Sequence, residues 1–128
     1  MNIRRATPDD SPALARVQVV SYRTAYAGIL PDAYLARFTW EDQAADWQEL
    51  LSANPDSLLW VAEDRLGHVC GYALARVGVI VGGGRSFDSE LVALHVDQTT
   101  QGQGVGRRLV ATVARELRLS GCRSLMVW

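Results

Sequence analysis

Residues 101–106 read Q-G-Q-G-V-G, with glycine at Gly102, Gly104 and Gly106. An apolar, alternating stretch at residues 91–96 precedes this run, and an amphipathic stretch begins near Gly106. A strand, a tight glycine turn and a helix in that order constrain the fold, because the first turn of the helix aims successive backbone N–H groups at one point. The helix dipole makes that point positive. Such a turn is an anion socket, and glycine suits it because no Cβ holds the oxygens away from the backbone. Diphosphate is the anion that best accounts for several donors presented without side chains.

Spacing narrows the ligand. A dinucleotide fingerprint needs G-x-G-x-x-G, but the third position falls on Arg107 when counted from Gly102 and on Leu109 when counted from Gly104. No Asp or Glu between Ser120 and Trp128 stands ready to hold a ribose, and no Gly-Lys-Ser or Gly-Lys-Thr marks a nucleotide-hydrolysing loop. The stretch instead resembles the pyrophosphate-binding signature of the GNAT N-acetyltransferase superfamily: Gln or Arg, two residues, Gly, one residue, then Gly or Ala. Gln101, Gly104 and Gly106 fill it in register. Its context resembles the family too, with A-L-H-V-D as the fourth strand and R-R-L-V-A-T-V-A as the following helix. The resemblance extends over nearly the whole chain, from I-R-R-A-T-P-D-D to C-R-S-L-M-V-W.

The 128 residues fit one domain, residues 1–128, and 48% hydrophobic content supplies a core without disulfides or metal. A net charge of −1 gives no electrostatic footprint for nucleic acid or an anionic membrane. Cys70 and Cys122 lie in apolar segments without metal-ligand spacing and read as reduced core residues. No apolar run approaches membrane-spanning length and the N-terminus has no signal-peptide pattern, so a cytoplasmic protein is expected.

The pattern along the chain predicts a strand at residues 2–5 and a helix opening at Asp9, Asp10, Ser11 and Pro12. That helix is expected to bury Leu14, Val17 and Val20 or Ser21. A second helix follows at residues 32–38. Thr39 and Asp42, arranged as a capping box, open a third through about Ser52, with Ala44, Trp47, Leu50 and Leu51 as its buried stripe. Strands are expected at residues 58–63, 69–79 and 90–96, with Gly82, Gly83 and Gly84 as a hairpin connection. After the glycine turn, Val105, Leu109, Val110, Val113 and Leu117 form an apolar helix face, and a buried strand begins at Ser124. The fold class is α/β, a mixed and mostly antiparallel sheet flanked by helices.

The resemblance implies that the fourth and fifth strands part in a V and that the coenzyme enters the gap. The backbone of Leu94, His95 and Val96 would then pair with the pantetheine arm. The N–H groups of Gln101, Gly102, Gln103, Gly104, Val105, Gly106 and Arg107 would hold the diphosphate. The function implied is transfer of acetyl from acetyl-CoA, the co-substrate, to a primary amine of a small molecule or protein, by direct attack in a ternary complex without metal. Glu90, at the start of the fourth strand, is the candidate base. Strict alternation puts His95 on the opposite face from Glu90, unless a β-bulge intervenes. Tyr22 and Tyr26, four apart on one helix face, would line the acceptor pocket or else join the core.

The chain departs from its family at the end. Family members continue through a further helix and two strands that carry a tyrosine acid, whereas this sequence stops at Trp128 within an apolar run. The expectation is a truncated gene product lacking the C-terminal part, with a homodimer or exchanged packing covering the open sheet. The alternative function is a non-catalytic acyl-CoA-binding module.

Overall fold

Five strands align in one sheet in the computed structural model, which describes residues 1–127. They are β1 (Asn2–Arg5), β2 (Leu59–Glu63), β3 (Val69–Gly82), β4 (Arg85–Val96) and β5 (Met126–Val127), in that spatial order. The first three pairings are antiparallel, and β5 lies parallel to β4. Trp128, on which the truncation expectation turns, lies outside the described residues.

Turn chemistry sets the register. Between β2 and β3, the Asp64 carboxylate accepts from Leu66 N–H at 2.8 Å and His68 N–H at 3.0 Å. Between β3 and β4, Gly82 pairs with Arg85 across Gly83 and Gly84, at φ +58° and +74°. Two positive φ angles are what a two-residue hairpin turn with the sheet's twist requires, so the glycine tract is a hairpin connection. The hairpin reaches further than the apolar pattern predicts. β3 continues to Gly82 and β4 begins at Arg85, because pairing propagated from the turn carries polar residues such as Ser86 and Ser89 into the ladder.

One irregularity decides the site. Leu74 pairs with Ala93 and Ala75 with Leu91, so Val92 is an extra residue in β4. A bulge of this kind shifts every downstream side chain to the other face.

Helices cover both faces. α1 (Ser11–Tyr26) and α3 (Trp40–Ala53) pack on one side, where Leu14, Val17, Trp47, Leu51, Leu59, Val61 and Tyr72 form a core. α4 (Val105–Leu119) packs on the other, burying Val105, Leu109, Val113 and Leu117 against Trp60, Ala62, Ala73, Ala75 and Leu91. Alternation along β2 feeds the two layers in turn. Each fully buried Leu or Val contributes on the order of 1.5–3 kcal/mol.

Three helical expectations change. Val20 is half exposed and Val19 is buried in its place, because the stripe of α1 leans through Ala15 and Val19. Leu50 is 38% exposed, since α3 turns Trp47 and Leu51 inward and Trp47 Nε1–H donates to Gln18 at 2.8 Å. α2 (Asp32–Ala36) ends two residues early. Thr39 does cap α3, accepting from Asp42 N–H at 3.4 Å. Before α1, Asp10 accepts from Thr7 N–H and takes both arms of Arg4 at 2.8 and 2.9 Å, and Arg4 also reaches Glu63. No helix among the described residues is long and apolar enough to cross a membrane.

Candidate active site

The glycine turn delivers the start of α4 beside β4. Gly104, at φ +78°, is the residue before the helix, and Gly102 is at φ +84°. A Cβ added at either glycine would meet nothing within 4 Å, so the turn needs them for backbone shape rather than for room. The first helical bond runs from Arg108 N–H to Gly104 C=O at 3.1 Å, which leaves the N–H groups of Val105, Gly106 and Arg107 without an intrahelical acceptor. Two of the expected donors are committed elsewhere. Gln101 N–H donates to Gln98 C=O and Gln103 N–H to Thr100 C=O, each at 3.3 Å, because these residues close short turns. The donors left for an anion are Gly102, Gly104, Val105, Gly106 and Arg107, around a recess of about 420 Å³ that Val96 and Thr100 also line.

The edge of β4 continues this row. Asp97 N–H donates to Cys70 C=O at 2.7 Å. In an antiparallel ladder the bonded residues alternate, so His95 also turns its main chain to β3 while Leu94 and Val96 turn theirs away from it. The backbone of His95 is therefore not part of the outward edge expected for it. Among the described residues β5 pairs only with Glu90 and Leu91, and the edge from Val92 to Val96 has no strand beside it there.

Glu90 sits at the first rung of the parallel ladder between β4 and β5, opposite Met126. It is 6% exposed, and Arg76, its cross-strand partner, donates from Nε to Oε1 at 2.6 Å. Leu91 joins the α4-side core, so Glu90 faces α1 and α3. The bulge at Val92 brings His95 to that same side, contrary to strict alternation, and its ring lies 5.2 Å from that of Tyr72. Burial pushes the His95 imidazole below its usual pKa, which favours the neutral ring.

Tyr22 and Tyr26 do come together, with ring centroids 4.7 Å apart, and Phe38 stacks 4.4 Å from Tyr22. Tyr26 is 40% exposed and Tyr22 half-buried, so neither is a core residue. Shielding from water, reinforced by the Tyr34 hydroxyl, holds the Tyr22 pKa above its ordinary value. Arg23 ties this end of α1 to the next segment by donating to the Leu35 and Phe38 carbonyls.

Two features escape the sequence pattern. Arg76 gives no signal until the register is known. Asp88 accepts from Arg123 N–H, Ser124 N–H and Ser124 Oγ–H at 2.8, 2.9 and 3.0 Å, and Ser89 Oγ–H donates to Ser124 C=O. This clasp fixes where β5 starts, and its backbone donors hold the Asp88 carboxyl below the usual carboxylate range.

Known proteins share this fold. Residues 22–128 match the model of the Acetyltransferase (GNAT) family. The uncharacterized N-acetyltransferase YuaI of Bacillus subtilis is 32% identical over 128 residues, covering 100% of this chain and 70% of that protein. The fold superposes on PaiA N-acetyltransferase from Thermoplasma acidophilum, solved with coenzyme A, with a TM-score of 0.72 at 18% identity, covering 98% of this chain and 77% of the other. A GNAT family acetyltransferase from Brucella melitensis, solved with acetyl-CoA, gives a TM-score of 0.66 at 22% identity, covering 98% and 73%. The chain belongs to the GNAT family of acetyltransferases, and by that membership it is an acyltransferase.

Proposed function

We propose that the chain moves acetyl from acetyl-CoA to a primary amine, which attacks the thioester directly while both substrates are bound. The observation that carries this reading is the junction of two outward-facing backbone rows, the second with its Val96 carbonyl accepting a long bond from Gln101 Nε2 at 3.5 Å. The N–H groups opening α4 suit a diphosphate, and the outward main chain of Leu94 and Val96 suits an amide-bearing arm lying alongside as an extra strand. Acetyl-CoA carries both groups in one molecule, and the PaiA and Brucella structures were solved with coenzyme A and acetyl-CoA. It supplies the activated acetyl thioester.

The residues of the chain do the rest. The two rows orient the thioester near the bulge, and alignment of this kind removes up to about 7–11 kcal/mol of barrier. Glu90 takes a proton from the acceptor's ammonium, directly or through a water, freeing the lone pair that forms the new C–N bond and expels the thiolate. The ring group of Tyr22 and Tyr26 is the proposed wall of the acceptor pocket.

Release of free thiol from acetyl-CoA across a panel of primary amines tests the reading, with Glu90→Gln measured beside the wild type. Turnover is expected, with Glu90→Gln slower by about 100-fold or more while acetyl-CoA binding persists. A flat panel from a protein that still binds acetyl-CoA would leave the non-catalytic binding module. A protein that binds no acetyl-CoA would remove both readings.

A further inference from the structure

We propose that Arg76 selects the acceptor. The amine acetylated here carries a carboxylate a few bonds from its nitrogen, which the outer arms of the Arg76 guanidinium grip while Glu90 takes the amine's proton. This inference rests on the reading of Glu90 as the base.

The geometry of the pair points to it. Arg76 and Glu90 are register partners on adjacent strands, and the bond between them uses Nε of the guanidinium at 2.6 Å. A guanidinium has five N–H donors in a rigid fork, so a bond through Nε leaves Nη1 and Nη2 with four more. Those two nitrogens have no hydrogen-bond acceptor among the described residues. The Arg76 side chain is 62% exposed while that of Glu90 is 8% exposed, so the fork projects from the sheet past a buried carboxylate. An anchored fork loses little freedom when it binds, and a carboxylate matches its two parallel donors.

Charge around the pair agrees. The other carboxylate at this end of β4, Asp88, is committed to the backbone of Arg123 and Ser124, and Glu90 is already engaged by Arg76. A polycationic amine would find its second charge facing an arginine. An amino acid-like acceptor would place its ammonium at Glu90 and its carboxylate at the fork.

The experiment compares kcat/KM for β-alanine, 4-aminobutyrate and 6-aminohexanoate with propylamine, butylamine, hexylamine and 1,4-diaminobutane. The wild type is expected to favour the best carboxylate-bearing amine over its alkylamine counterpart by about tenfold or more, with the diamine poorest. Arg76→Gln is expected to erase that preference by raising KM for the carboxylate-bearing amines, with Arg76→Lys restoring part of it. Thermal unfolding with acetyl-CoA checks that both variants fold. An equal loss across all amines in Arg76→Gln would mean that Arg76 only steadies Glu90, and would overturn the proposal. A wild type that favours the diamine, or that binds acetyl-CoA yet turns over no carboxylate-bearing amine, would overturn it as well. Full activity in Glu90→Gln would instead remove the base assignment, while the wild-type preference would still report on Arg76.

Discussion

Replacing Gly106 separates ligand binding from folding at the start of α4. Gly106 is not among the glycines with positive φ, and a Cβ there would lie 3.6 Å from Val96 Cγ2 and 4.0 Å from Leu94 Cδ2, both ordinary contacts. Alanine should therefore fit, changing stability by less than about 1 kcal/mol. Valine adds two methyls to that Cβ, in the gap between the first turn of α4 and the outward edge of β4. Gly104 is a poorer probe, because at φ +78° any side chain costs roughly 1–2 kcal/mol of backbone strain whether or not a ligand binds. The assay is urea unfolding with and without acetyl-CoA. At one hundred times its dissociation constant, a ligand confined to the folded state adds about 2.7 kcal/mol. Wild type and Gly106→Ala are expected to gain that increment. Gly106→Val should keep its ligand-free stability within about 1 kcal/mol of wild type and lose most of the increment. A full increment in Gly106→Val would refute the placement of the diphosphate.

Other perturbations test the frame around the site. Asp88→Ala should speed hydrogen exchange at the Arg123 and Ser124 amides by on the order of tenfold, and unchanged exchange would mean that β5 is held by other contacts. Leu109→Ala, at a fully buried position of α4, should cost about 2–5 kcal/mol in urea unfolding, and a loss under 1 kcal/mol would show that the α4 layer collapses to fill the space. Asp10→Asn should cost about 1–2 kcal/mol at neutral pH, in the lower part of the range for charged hydrogen bonds because 35% of the Arg4 side chain stays in water. Burial alone would raise the Asp10 pKa, but hydrogen bonds from Arg4 and Thr7 outweigh it and hold the carboxyl below its ordinary range. Its contribution is therefore complete above the unfolded-state pKa and is lost as pH falls through the folded-state value. The stability gap between wild type and Asp10→Asn should narrow in acid, and a gap that widened would reverse the assignment.

The glycine socket was legible because its elements are consecutive in the chain: residues 91–96, three glycines and an apolar helical stripe state it locally. The same holds for the stripe of α4 and the Thr39 cap. What escaped depends on partners far away in sequence. Arg76 and Glu90 meet only once the hairpin register is set, and that register contains the Val92 bulge, which no composition rule marks. The side of the sheet occupied by His95 follows from the same residue. Gln101 and Gln103 looked like donors because the motif includes them, yet their N–H groups close short turns that a one-dimensional pattern does not distinguish from open loop. Val20 and Leu50 each lie one position from a residue that is buried, a difference set by which neighbouring helix arrives.

The bulge at Val92 also bears on how β4 can change. Upstream of it the strand holds Asp88 and Glu90, and downstream it presents Leu94 and Val96, two jobs with opposite pleat phases. Exchanging the exposed Val92 side chain for another leaves both phases intact, and deleting the residue would close the bulge, with Ala93 following Leu91 directly and still opposite Leu74, so that every later side chain keeps its face. At this point the fold should tolerate a change of letter and the loss of that one extra residue alike.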